Sequence, residues 1–253
     1  MKWSKLAGIG VMLIVASAAS AWFFLSAQSN EILLSDVRAV PAMNAPGTVR
    51  ILVKFSNRGR ADELISVSSV EGDKGVLENA EATPLPVPAN SNPQLAKDGA
   101  HGIIRGVNGE LADGRLIPIA LTFKNAGTVN AKARMREAIA MSHDTMFEVP
   151  EGETAPTLSI SASRNDKGWL IDIDAPGFTF SKDKVDGPHI ANTGHGHLYI
   201  DGLKLGRVYG TQVKIGNLPI GTHTVRVSLN TNDHRMYMTN GKSVSAETEI
   251  TSK

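Results

Sequence analysis

The sequence predicts an all-β protein: two small β-sandwich domains behind an N-terminal transmembrane or signal helix. Three observations predict it. Short runs rich in Val, Ile and Thr recur along the chain with a period near two. Turn signals built from Asn, Asp and Gly separate them. Beyond the first 28 residues no segment sustains a helical period, residues 133–141 reading at most as a short exit element. Evenly spaced short strands of this kind build sandwiches or barrels. Apolar residues at 42% supply enough material for real cores, and aromatics at 5% leave the β-branched residues to fill them.

The elements follow in order. In residues 1–28, Lys2 and Lys5 precede an apolar stretch that runs to Ala27, close to the ~20 residues a helix needs to cross a bilayer. Ala19-Ser20-Ala21 offers a cleavage site, but Trp22-Phe23-Phe24-Leu25 continues the apolar run past it, which favours an uncleaved anchor. Lysines before the span keep the N-terminus inside. The expected location is therefore periplasmic, tethered to the inner membrane, or free in the periplasm if the segment is cleaved.

The first domain, 29–140, carries strand-like runs at 48–55, 64–70, 117–123 and 128–133. Asn57-Arg58-Gly59 closes the first run, and Lys124-Asn125-Ala126-Gly127 joins the last two as a hairpin. A polar linker broken by Pro and Gly spans 141–156. The second domain, 157–253, opens with runs at 157–162 and 169–174 around Asn165-Asp166-Lys167-Gly168. Asp201-Gly202 and Asn240-Gly241 are two-residue hairpin signals, and 222–229 forms a strand between them.

The chemistry lies in the last quarter. Four of the seven histidines, His189, His195, His197 and His234, lie there beside Met236 and Met238, with His223 between them. Imidazole nitrogen with thioether sulfur suits copper, Cu(I) in particular, better than calcium or magnesium. In an extended His195-Gly196-His197-Leu198-Tyr199-Ile200, both histidines share a face with Tyr199, about 6.5–7 Å apart, and Leu198 and Ile200 face the core. His234, Met236 and Met238 repeat that parity. His189, in the loop after Gly187-Pro188, is a candidate third ligand. His143 and Met146, three residues apart in the linker, form a candidate pair at the domain junction. Asp144 and Asp233 are candidates to orient imidazoles. His223 shares parity with Val225, Val227 and Leu229, which places it at the end of a core-facing row.

Several classes fall away. Without cysteine there is no disulfide framework, thiolate metal site or Cys nucleophile. A net charge of +1 with no Lys/Arg run gives no surface for nucleic acid. No nucleophile elbow, HExxH helix or phosphate loop is present, so no enzyme is expected.

The first half also carries matched stretches: Val37-Arg38-Ala39-Val40-Pro41, Phe55-Ser56-Asn57, the run from Asp62 to Ser69, the run from Asp98 to Val107, and the run from Pro118 to Phe123. With these in order, residues 35–135 resemble the periplasmic copper chaperone family PCu(A)C, a cupredoxin-like β-sandwich. The resemblance implies Cu(I) held by two His and two Met. Only His101 falls on a ligand position. Ile103 stands in the methionine place of the His-x-Met pair, Glu78 in that of the other histidine, and no Met lies between residues 44 and 134. The resemblance therefore implies a chaperone fold with a degenerate site. The expected function is an envelope copper chaperone or copper-sequestering protein, passing Cu(I) to a copper-accepting partner such as an oxidase assembly site. The alternative is an envelope interaction or scaffold module that binds no metal.

Overall fold

The computed structural model describes residues 31–42, 45–73, 75–137 and 146–253. The expected N-terminal helix at 1–28 and His143 with Asp144 in the linker lie outside them. Among the described residues the regular structure is entirely strand, and no helix is long and apolar enough to cross a membrane.

The first half folds as β1 (Ile32–Pro41), β2 (Val49–Asn57), β3 (Asp62–Ser68), β4 (Val76–Glu78), β5 (Leu85–Val87), β6 (Gln94–Leu95), β7 (His101–Ile104), β8 (Leu116–Phe123) and β9 (Gly127–Met135). Alternation decides which face is inside. Val49, Ile51, Val53 and Phe55 of β2 point inward, as do Ile117, Ile119, Leu121 and Phe123 of β8, with Phe55 edge-on to Phe123 at 5.7 Å. β2 pairs antiparallel with β1 and β7, and β8 with β3 and β9. Residues 133–135, the start of the expected exit element, continue β9 instead.

The second half follows as β10 (Met146–Glu148), β11 (Ser159–Asn165), β12 (Gly168–Asp174), β13 (Thr179–Phe180), β14 (Thr193–Ile200), β15 (Leu203–Val208), β16 (Gln212–Gly216), β17 (Gly221–Thr231), β18 (Met236–Thr239), β19 (Lys242–Ser243) and β20 (Ser245–Ser252). β14 runs between β15 and β17, and β17 continues to β20, all antiparallel. β11, β12 and β16 form a separate three-stranded sheet. The two-residue turns behave as read. Asp201 and Gly202 have φ of 46° and 85°, Asn240 and Gly241 of 51° and 71°, the pair of positive values a tight hairpin demands.

Two β-sandwich domains were expected, and among the described residues the apolar interiors of the two halves are continuous. One continuous apolar cluster runs from Val53 and Leu95 through Leu198, Ile200 and Val225 to Trp169 and Ile215. The short β6 bridges the halves, Gln94 pairing with Lys54 on one side and Lys204 on the other. Backbone bonds from Ala100 N to Gly202 O (2.8 Å), Glu81 N to Asp201 O (3.0 Å) and Ala89 N to Asn217 O (2.9 Å) extend the seam. Unpaired edge groups are costly when buried, so loops of one half satisfy the hairpin turns of the other. The linker is also recruited, because Met146–Glu148 pair in parallel with β18.

Candidate metal centre

β14 carries the chemistry because it is a central strand. Leu198 and Ile200 enter the core, while His195, His197 and Tyr199 take the opposite face, as their parity predicts. That face is buried too: His195 and Tyr199 are fully covered and His197 is 5% exposed. Part of the cover comes from the first half. Gly99 lies so close to Tyr199 that an added Cβ would stand 3.2 Å from a ring carbon.

The third imidazole arrives on the turn between β17 and β18. His234 N donates to Thr231 O at 3.1 Å, Thr231 N to Arg235 O at 2.8 Å, and His234 adopts φ 70°. This left-handed residue brings its ring to 5.0 Å from that of His195, inclined by 70°. One ligand nitrogen from each of His195, His197 and His234 lies within 4.8 Å of the others. The Nε2 atoms of His195 and His197 are 3.0 Å apart. Two imidazoles on one ion with bonds near 2.0–2.1 Å at a tetrahedral angle need about 3.3 Å between nitrogens. A movement of a few tenths of an ångström would bring this pair to that separation, and with His234 within 4.8 Å of both the donor set fits a metal.

Electrostatics favour neutral ligands. Burial, reinforced by the charges of His197, His234, Arg207 and Lys204, brings the His195 pKa down to about 3. Burial also lowers His197, against the opposing pull of its bond to Asp98. Neutral rings keep lone pairs for a cation. The outer contacts are ordered. Asp98 Oδ2 lies 3.0 Å from His197 Nδ1, and accepts from Lys204 Nζ at 2.5 Å and Tyr199 OH at 2.9 Å. Although burial opposes it, the His197 bond and Lys204 hold the Asp98 carboxyl well below the usual range. Burial and the neighbouring Asp98 push the Tyr199 phenol up. On the far side Asp186 bonds His234 Nε2. His195 Nδ1 is buried with no hydrogen-bond partner among the described residues.

The other expected ligands divide. Met236 pairs with Asn230, which pairs with His195, so all three share one face in one transverse row. Met146 extends that row beyond Met236 and is 53% exposed. Met238 pairs with Ser243, and β17 has by then exchanged β18 for β20, which carries Met238 away from the histidine strand. His189 is not among the three converging imidazoles. Its ring lies 4.1 Å from Phe147 and 6.2 Å from Tyr237, held by an aromatic cluster instead. Asp233 orients no imidazole but binds Arg235 Nε at 3.1 Å. Asp98 and Asp186 are the carboxylates in contact with imidazoles of this group.

His101 is also not a free ligand. Its Nδ1 contacts Gly99 O at 3.0 Å, and its Nε2 meets Arg50 Nε at 3.1 Å and Glu78 Oε2 at 3.0 Å. Glu78 pairs directly with His101, and Val76 with Ile103. With Ile103 in the methionine place and Glu78 in that of the other histidine, these residues do not fit the two-His, two-Met site of the resembling family. The sequence missed Asp98, Lys204 and Asp186 as neighbours of the imidazoles. Asp186 sits in the Asp-Gly-Pro-His run that drew attention to His189, but no local pattern marks Asp98 or Lys204.

Residues 32–135 match the LpqE-like family model. His195, His197 and His234 lie beyond that match. Among solved structures the chain is similar to the copper-bound PCuAC domain from PmoF2, at 19% identity over 43% of this chain and 95% of that one, TM-score 0.39. It is similar also to the apo PCuAC domain from PmoF1, at 18% identity over 43% and 96%, TM-score 0.40. The solution structure of CuI-DR1885 from Deinococcus Radiodurans is similar at 19% identity over 44% and 80%, TM-score 0.34. No curated protein matches the sequence.

Proposed function

We propose that the protein is an envelope copper-binding protein that carries or sequesters copper on His195, His197 and His234 and delivers it to a copper-accepting protein outside the cytoplasm. The convergence of three imidazoles within 4.8 Å carries this reading. Three nitrogen donors suit copper, zinc, nickel or iron. The resemblance of residues 35–135 to copper chaperones selects copper, and Met236 in the same row as His195 supplies a soft sulfur on the approach, favouring Cu(I). Export and tethering rest on the N-terminal apolar segment. The role is that of a carrier rather than an enzyme: Asp98 and Asp186, the carboxylates touching the imidazoles, are engaged by ring nitrogens, and Asp98 also by ammonium and phenol, so neither is a free general base.

A second reading has its own observation. His195 and His197 are within hydrogen-bonding distance of each other, as a structural pair in a metal-free interaction module would be. Metal analysis and Cu(I) competition on the detergent-solubilised full chain separate the two. The copper reading expects one copper per chain, lost in His195→Ala/His197→Ala and weakened in Met236→Ala. Absence of retained copper, with zinc retained in its place or no metal at all, overturns it.

A further inference from the structure

We infer that Asp98, supplied by the first half of the chain, orients His197 for the metal held by the second half, so that metal affinity depends on the docking of the two halves. The inference rests on the metal reading of His195, His197 and His234 and adds its means of control.

An imidazole that gives the lone pair of one nitrogen to a metal must carry its proton on the other. His197 Nε2 faces His195 Nε2 and the ion position, so the proton belongs on Nδ1 and needs an acceptor. Three groups surround that nitrogen: Lys204 Nζ at 3.0 Å, Tyr199 OH at 3.4 Å and Asp98 Oδ2 at 3.0 Å. An ammonium cannot accept. The tyrosine hydroxyl, which donates to Asp98, has lone pairs to accept with but stands at the longest of the three distances, where a hydrogen bond is weak. The carboxylate is therefore the acceptor, and Lys204 and Tyr199, both donating to the same oxygen, fix where it stands.

Asp98 is placed from outside the half that holds the ligands. Its loop is tied by Ala96 N to Ala100 O (2.9 Å) and Gly99 N to Ala96 O (3.0 Å), then anchored across the seam by Ala100 N to Gly202 O (2.8 Å). At Gly99 a Cβ would sit 2.7 Å from Gly202 O, so only glycine lets the loop lie this close. His234 differs, because its carboxylate partner, Asp186, comes from its own half. Coupling of this kind is reciprocal: docking that orders His197 raises metal affinity, and bound metal tightens docking. A carrier built this way would release its ion when a partner pries the seam apart.

The test uses the full chain and Cu(I) with a chromophoric competitor. Asp98→Asn keeps the shape of the side chain and removes its charge. It should weaken Cu(I) about 10- to 100-fold, the usual effect of losing a carboxylate behind a ligating histidine. In the Cu(I)-loaded protein, the His197 Nδ1–H resonance should lose its downfield shift and exchange protection, a signature that a merely structural role would not move. Gly99→Ala, which leaves Asp98 intact and displaces the loop, should weaken Cu(I) in the same direction. Unchanged affinity and an unchanged Nδ1–H signal in Asp98→Asn, while His197→Ala abolishes binding, would overturn the inference and leave the site standing. Wild-type affinity in Gly99→Ala would overturn the dependence on docking. Full binding in His197→Ala would instead overturn the site.

Discussion

His195 and His197 bring their Nε2 atoms to 3.0 Å although alternate residues of a strand place their backbones about 6.5–7 Å apart. The rings lean together, centroids 4.9 Å apart, in a space that excludes water. Such a pair tolerates one proton between the two nitrogens but not a charge on each ring.

Acid should therefore destabilise the metal-free protein from the near-neutral side. His195 takes up its second proton near 6.5 when unfolded and only near 3 when folded. Between those values the unfolded chain binds more protons, so stability rises with pH and falls on acidification, with a slope approaching about 1.4 kcal/mol per pH unit. His197, also lowered, adds in the same direction. Urea denaturation at pH 7.5 and pH 5 should show the loss in wild type and a smaller one in His195→Asn. Equal losses in the two proteins would remove the buried imidazole as the cause.

His223 should show the opposite sign. Burial acts to lower it, but its bonds to Asp201 Oδ2 at 2.7 Å and Pro219 O at 3.0 Å raise it above its ordinary value. The stabilisation is complete below pH 6.5 and is lost as pH rises through the raised folded value. His223→Gln should cost more stability at pH 5.5 than at pH 9. A constant difference across that range would show that His223 merely fills space.

Much of this was legible in the sequence, and the reason is local. Asp201-Gly202 and Asn240-Gly241 announce hairpins because positive φ at both positions excludes most other residues. The shared face of His195 and His197 follows from strand parity alone. What failed was of longer range. Asp98 reaches Tyr199 across 101 positions, and no periodicity encodes that. His189 left the expected ligand set because Phe147, in a segment read as a linker, offers it a ring to stack on. The resemblance puts Glu78 in the place of a second histidine, and Glu78 does contact His101, but Arg50 on a neighbouring strand was invisible until β2 and β7 were paired.

Glycine in the histidine strand is a structural requirement. A Cβ at Gly194 would lie 1.9 Å from Asn230 O, whereas at Gly210 nothing stands within 4 Å. Gly194→Ala must push β14 off β17 beside His195, and should cost about 1–3 kcal/mol or more, together with weaker copper binding. Gly210→Ala should leave both unchanged. Denaturation and Cu(I) competition on the two variants check this, and wild-type values for Gly194→Ala would refute the packing argument.

The third ligand can be removed with little damage to the fold. His234 holds φ 70°, a conformation most side chains resist at a cost of about 1–2 kcal/mol but asparagine accepts. Its side chain is 33% exposed, so shortening it to asparagine removes less buried area than the same change at His195 or His197. His234→Asn should therefore keep the turn and the thermal midpoint. It leaves an ion on His195 and His197 alone, with Asp186 deprived of its imidazole partner. Copper affinity should fall at least tenfold, a loss of about 1.4 kcal/mol or more. His234→Ala should lose the same affinity and in addition some stability, because alanine is strained at that φ. If His234→Asn binds copper as wild type does, His234 is not a ligand and the site reduces to two nitrogens on one strand.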